Sequence, residues 1–234
     1  VDITAGYNWE SVTYGDGKFV GVASTGAKRV VYSSDGTSWT TVSSATANSN
    51  SWTSITYGDG KFVAVAKDGT KSCAMYSSDG TSWDEGSDVP TQQWQSVTYG
   101  DGKFVAVSQS GDNRVMYSTN GANWTQPASA VAWSKSWKSV TYGAGKFVAV
   151  TSSGSDIQQV MYSEDAINWT LADAAVQAGW QSVTYAGGLF IAVADGHVMY
   201  STDGITWNNG GTGVPIAGTG WSSVTYGGGK YVAV

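Results

Sequence analysis

The stretch that decides the fold opens the first repeat: Trp9-Glu10-Ser11-Val12-Thr13-Tyr14-Gly15-Asp16-Gly17-Lys18-Phe19-Val20-Gly21-Val22. It reads as two short strands about a tight turn. Ser11–Tyr14 is the first strand (A), Lys18–Val22 is the second (B), and Gly15-Asp16-Gly17 separates them. Asp-Gly between two β-rich runs is a strong hairpin signal, because the turn needs φ > 0 and Gly17 adopts it without steric cost. Working outward, Val30–Ser33 supplies a third strand (C) and Trp39–Val42 a fourth (D), joined across Asp35-Gly36.

The pattern recurs along the whole chain. W-x-S-[VI]-T-Y-[GA] begins at Trp9, Trp52, Trp94, Trp137, Trp180 and Trp221, at spacings of 43, 42, 43, 43 and 41 residues. Y-S-x-[DN]-[GA]-x-x-W begins at Tyr32, Tyr76, Tyr117, Tyr162 and Tyr200. The 234 residues thus hold five full repeats of about 42 residues (9–51, 52–93, 94–136, 137–179, 180–220) and a half repeat, 221–234.

Strand B is apolar on both faces, as in Phe62-Val63-Ala64-Val65 and Phe190-Ile191-Ala192-Val193. A sheet with one wet face would alternate, so these sheets are expected to be covered on both sides. Four-stranded antiparallel units of this length, each covered by its neighbours, are the blades of an all-β propeller. One domain over residues 1–234 is expected; six A–B hairpins favour six blades, and five remain compatible. A half blade exposes a strand edge, which invites exchange with another copy. The sequence argues against a WD40-type propeller, since its Gly-His element cannot repeat in a chain whose one histidine is His197.

At the second half-unit, Ser33-Ser34-Asp35-Gly36-Thr37-Ser38-Trp39 resembles the Asp-box of BNR (sialidase-like) propellers, written S-x-D-x-G-x-x-W. All five copies lack the residue between Asp and Gly, and Asn120 and Ala166 depart from the box. In that family the box is structural, so the resemblance implies a fold and no catalytic role. Trp-rich, Gly-rich repeats give a looser likeness to tachylectin-type propeller lectins. Sialidase activity needs an arginine triad, and Arg29 and Arg114 are the two arginines here, so no catalytic residue carries over.

Composition narrows the function classes. With 31 Gly, 3 Pro, 13% aromatic and 13% charged residues, the chain is neither disordered nor a helical bundle. Twelve basic against 18 acidic residues give −6, which argues against nucleic acid or anionic lipid as partner. No apolar run approaches the roughly 18 residues of a membrane span, so no membrane insertion is expected. The first residues lack the basic-then-apolar pattern of a signal peptide. A lone Cys73 excludes an internal disulfide and reads as a small buried residue. His197 reads as a loop imidazole without a triad, and the Gly-x-Gly pairs sit in hairpins rather than before a helix. Neither a metal site nor a cofactor is expected. A paired-carboxylate glycosidase would need two loop acids at a defined separation.

If the four strands run up and down, the A–B and C–D turns share one face. The B–C loops (Ala23–Arg29, Ala66–Ser72, Ser108–Arg114, Thr151–Gln159, Ala194–His197) and the D–A loops share the other, and these vary. Function tends to sit on such loops. Trp133, the one tryptophan outside the repeat, is a candidate binding residue with Lys135 and Trp137. Arg29, Asp68, Asp112, Arg114 and Asp156 are candidates to orient a ligand. The six tryptophans that begin strand A are expected as core on the side of the central channel. The polar residues after them (Glu10, Thr53, Gln95, Lys138, Gln181, Ser222) either line a groove or face water. The reading is a non-enzymatic recognition or adhesion module for glycans or another surface ligand. The alternative is a scaffold, fibre or surface-array segment that contacts protein only. The Ser, Thr, Gly, Asn and Trp richness suits an extracellular, cell-surface or virion setting.

Overall fold

The computed structural model describes residues 6–44, 46–48, 50–68, 72–128, 135–153, 156–210 and 220–234. Among them every regular element is a β-strand. They form two compact units, residues 1–111 with 116–126, and residues 112–115 with 127–234.

The first half of the chain builds three sheets. β1 (Trp9–Gly15), β2 (Lys18–Ala23), β3 (Val30–Ser33) and β4 (Thr40–Thr41) make one, in that order. β5 (Trp52–Gly58), β6 (Lys61–Ala66), β7 (Ala74–Ser77) and β8 (Asp84–Glu85) repeat it. β9 (Trp94–Gly100), β10 (Lys103–Ser108) and β11 (Val115–Ser118) make a third, with a single bridge from Tyr117 to Thr125 in place of a fourth strand. The second half adds β12 (Trp137–Gly143), β13 (Lys146–Thr151), β14 (Val160–Ser163) and β15 (Thr170–Ala172). Then come β16 (Trp180–Ala186), β17 (Leu189–Ala194), β18 (His197–Ser201) and β19 (Asn208–Asn209), and a two-stranded sheet of β20 (Val224–Gly227) and β21 (Lys230–Ala233).

Several local details differ from the sequence reading. The fourth strand is shorter than Trp39–Val42, because Trp39 stays in the turn and donates its indole N–H to Gly36 O. His197 lies in a strand, paired with Ala194 across a two-residue turn. In the A–B hairpin Gly15 pairs with Lys18, and both residues between them have positive φ, Asp16 at 47° and Gly17 at 71°. That is the type I′ turn, whose twist matches the flanking strands. The expectation placed positive φ at the glycine alone.

Strand A carries a bulge that the sequence did not announce. Trp52 pairs with Ala66 and Ser54 with Val65, so Thr53 is an extra residue. The bulge turns Trp52 onto the face that holds Ile55 and Tyr57, and all three join one core. The same shift occurs at Trp9, Trp137 and Trp180.

The cores lie between adjacent blades. On β6, Phe62, Ala64 and Ala66 pack with Val20, Val22 and Val30 of the preceding blade, whereas Val63 and Val65 pack with Trp94, Phe104 and Met116 of the following one. A strand with period-2 side chains feeds both cores, which is why it is apolar throughout. Trp52 sits among Val22, Val30 and Val42, so it fills the space between blades. Burying such a ring contributes on the order of 3 kcal/mol.

Candidate functional site

The variable loops are held to the blades by side-chain amides and hydroxyls. Asn48 accepts the backbone N–H of Arg29 at 2.7 Å and donates to Ser44 O at 2.8 Å. Asn50 donates to Ser72 O at 2.5 Å, Asn113 donates to Pro127 O, and Gln159 accepts the N–H of Ala178 at 2.8 Å. Each joins a D–A loop to a B–C loop. Sequence reasoning missed them because they occupy different positions in each repeat.

The structure places the candidate residues unevenly. Lys135 and Asp156 come together, Nζ to Oδ1 at 2.7 Å, with Lys135 buried and Asp156 half exposed. Trp137 is fully buried and presents no surface to a ligand. Asp68 is exposed and accepts both the N–H and the hydroxyl of Ser51 at 2.8 Å. Arg29 is half-buried, its Nε donating to Gly26 O at 3.0 Å. Asp112 is exposed and Arg114 half-buried on one B–C loop. Trp133 lies outside the described residues.

One patch emerges that the repeat does not announce. Tyr7, which precedes the first repeat, stacks on Trp9 with ring centroids 5.3 Å apart and an interplanar angle of 16°. A Cβ on Gly26 would lie 2.2 Å from the Tyr7 ring, so Tyr7 covers the glycine whose carbonyl holds Arg29. Ser24 donates to Glu10 at 2.5 Å beside it, and Asn8 N–H donates to Thr25 Oγ1 at 3.0 Å. Tyr7, Trp9 and Arg29 are all half-buried, unlike the fully buried Trp94, Trp137 and Trp180. An aromatic pair, a guanidinium and a carboxylate therefore share the loop end of the first blade.

The C–D turns carry the ordered carboxylates, and these are turn supports. Asp79 Oδ1 accepts the N–H groups of Thr81 and Ser82, each at 2.7 Å, and the Ser77 hydroxyl at 3.0 Å. Burial opposes ionisation of Asp79, but those backbone N–H groups outweigh it and hold the carboxyl well below the usual range. At Asp165 burial is likewise outweighed by Asn168, Ile167 and Ser163, which bring it to about 2. Asp35 is lowered by the N–H groups of Ser38 and Thr37. Asn120 makes the same bonds to Ala122 and Asn123 at 2.9 Å with a neutral group.

Burial pushes the Cys73 thiol up, away from the reactive thiolate. Among the described residues no three His, Cys, Asp or Glu side chains cluster as a metal site would need. An open groove of about 540 Å³ between β15 and the turn before β19 is lined by Tyr162, Leu171, Ile205 and Trp207, with Asp173 its one carboxylate.

No known protein-family profile matches the chain, and no curated protein matches it. Solved structures do. YCF48 bound to D1 peptide is 17% identical, with a TM-score of 0.63 over 87% of this chain and 67% of that one. A chain of the nidogen/laminin complex is 12% identical, with a TM-score of 0.62 over 82% of this chain and 74% of that one. The fold is a β-propeller. The computationally designed Ika8 protein shares it at 11% identity, with a TM-score of 0.60 over 97% of this chain and 80% of that one. In this propeller the described residues provide six blades, four of them four-stranded, one three-stranded and one two-stranded.

Proposed function

We propose that this propeller is a non-enzymatic recognition module that binds a polypeptide partner through its B–C and D–A loop face. The observation that carries the reading is the half-buried Tyr7–Trp9 stack beside Arg29 and Glu10. Tyr, Trp and Arg are the residue types that dominate binding hot spots, since each offers a large rigid surface with a polar handle. The loops around them are anchored by Asn48 and the Ser24–Glu10 bond, so little ordering is required on binding. Two structures of the same fold support a polypeptide ligand: one holds a peptide and the other a protein complex. The C–D turns, which resemble shortened Asp-boxes, serve the scaffold and not the site.

A glycan is the second reading, favoured by one feature, the exposed polar rim of Asn8, Glu10 and Thr25 around the aromatic pair. The composition suits an extracellular or surface setting for either ligand. The test is a peptide-display selection and a glycan array run in parallel on the intact chain and on Tyr7→Ala and Arg29→Ala. Peptide binders lost in both variants, with Tm unchanged, support the reading. Binding competed by a free sugar moves it to a lectin. No binder from either library leaves the scaffold reading in its place.

A further inference from the structure

Where the outer strand of a blade ends, the second repeat reads Gly86-Ser87 and the fourth reads Ala172-Asp173. Ser87 is bonded to the C–D turn of the following blade. Its N–H donates to Ala122 O at 2.8 Å, its C=O accepts the Trp124 N–H at 3.2 Å, and its hydroxyl donates to Asn123 Oδ1 at 2.7 Å. Among the described residues no backbone bond joins Asp173 to Ile205 or Trp207, the counterparts of Ala122 and Trp124. The open groove of about 540 Å³ lies there instead. Residue size accounts for the difference. A Cβ on Gly86 would lie 3.2 Å from both Trp124 Nε1 and Val89, so the turn reaches Ser87 because that methyl is missing. Ala172 carries the methyl and shares a core with Trp207.

One wall of the groove is a strand edge. β15 is the outermost strand of its sheet and pairs with β14. Gly86 and Gly210 donate inward, to Ala74 O and Val198 O, and Ala172 holds their place opposite Val160. Ala174 N–H also turns inward, to Ile157 O at 2.8 Å. By the alternation of an extended chain, the N–H and C=O groups of Leu171 and Asp173 therefore point outward. Tyr162 and Leu171 are half-buried in this wall, and Ile205 in the other is 36% exposed. Asp173 is the groove's one carboxylate, and among the described residues no Lys or Arg lines it. A second hollow of about 320 Å³ shares Tyr162 and extends to Glu164 and Asp165. Glu164 is 3.4 Å from Lys146, which does not line the hollow.

We propose that this groove receives an extended basic segment of a polypeptide partner, added as a fifth strand beside β15. Main-chain bonds to Leu171 and Asp173 give affinity, and alternate side chains give specificity. Apolar ones cover Leu171 and Ile205, and a lysine or arginine between them meets Asp173. Charge complementarity selects the sign, since acids stand at both ends of the paired hollows on a chain of net charge −6. Ser87 displays the bonding within this chain: an extended backbone satisfies the turn of the next blade wherever the two can meet. Both walls belong to repeats that the chain holds in full. The groove is on a different blade from the Tyr7–Trp9 patch, so it adds a second surface to the one proposed above.

The test titrates a short fluorescent peptide of alternating lysine and valine into the intact chain and follows anisotropy. Physiological ionic strength screens loose charge attraction. Saturable one-to-one binding is expected, with slowed amide exchange at Leu171 and Asp173. Asp173→Asn weakens it about fivefold, the reach of one exposed ion pair. Ala172→Gly combined with Asp173→Ser recreates Gly86-Ser87, closes the groove and abolishes binding, while exchange of the Trp207 amide slows. Ile205→Lys, on the exposed wall, weakens binding with far-UV circular dichroism unchanged, so the proposal stays open to failure if the double variant does not fold. Tyr7→Ala leaves binding as it was. Absent saturable binding, binding that survives a folded double variant, or equal binding of a peptide with glutamate for lysine overturns the proposal. So does binding that ignores Ile205→Lys and is lost in Tyr7→Ala, since the peptide then sits on the first blade.

Discussion

The hydroxyl of Ser54 accepts the backbone N–H of Val97 at 3.1 Å, across the join between two blades. The motif serine does the same at Ser11 for Ile55, Ser139 for Val183 and Ser182 for Val224. Strand A is the outermost strand on its side of each blade, so an N–H there lacks a sheet partner. The preceding serine supplies one.

Ser54→Ala should therefore cost about 1 kcal/mol, the usual net value of a bond whose loss strands a half-buried donor. Urea denaturation measures the loss, and faster exchange of the Val97 amide locates it. Unchanged stability and exchange would show that water replaces the hydroxyl.

Gly58 carries a different demand. Its φ is ordinary, yet a Cβ there would lie 2.0 Å from Tyr99 Cγ, because the tyrosine of the next blade lies flat on the backbone. Gly58→Ala should destabilise by about 2 kcal/mol, the range of core overpacking. At the equivalent position the chain has Ala186, and the tyrosine that follows, Tyr226, is 39% exposed. Tyr99 should become similarly exposed in Gly58→Ala, which quenching of tyrosine fluorescence would report.

Lys135 and Asp156 form an asymmetric pair, the amine buried and the carboxylate half exposed. Asp156→Ala strands a buried cation and should lower stability by about 1–2 kcal/mol. Lys135→Met removes the charge with its burial cost and should stay within about 1 kcal/mol of the parent. Thermal unfolding of both variants decides, and an equal loss in each would show that the amine reaches solvent.

The C–D turns predict an acid limb. The carboxyls of Asp35, Asp79, Asp165 and Asp203 lie lower in the folded chain than unfolded. A depressed carboxyl stabilises fully above its unfolded pKa, about 3.9, and that contribution is lost as pH falls through the folded value. Stability should hold above about pH 4 and decline toward pH 2, where Asp165 titrates. Replacing all four by Asn, the residue already at position 120, should flatten that limb while keeping the turns. Denaturant midpoints from pH 5 to pH 2 test it.

Much of the scaffold was legible in the residues because its causes are local. Gly17 marks a tight turn, Phe62-Val63-Ala64-Val65 marks a strand buried on both faces, and the Asp35 turn satisfies its own backbone. The bulge at Thr53 was not legible, since one extra residue in the pairing leaves no signature in residue type. The candidate site was legible only as a face. The likeness of Trp9 and Trp137 in sequence concealed that one is half exposed and the other fully buried.

By itself, then, the sequence determined the repeat, its four-strand unit, its turn chemistry and the propeller class, all of which follow from short-range sterics and period-2 burial. Tertiary structure alone decided what meets across larger separations: Ser54 with Val97, Gly58 with Tyr99, Lys135 with Asp156, Tyr7 with the Gly26 loop. The first two contacts depend on how far apart and at what angle neighbouring blades pack, and the last two on how the loops of one blade fold over its end. That distance is set by the summed volumes of both inter-blade cores, and no single repeat encodes it.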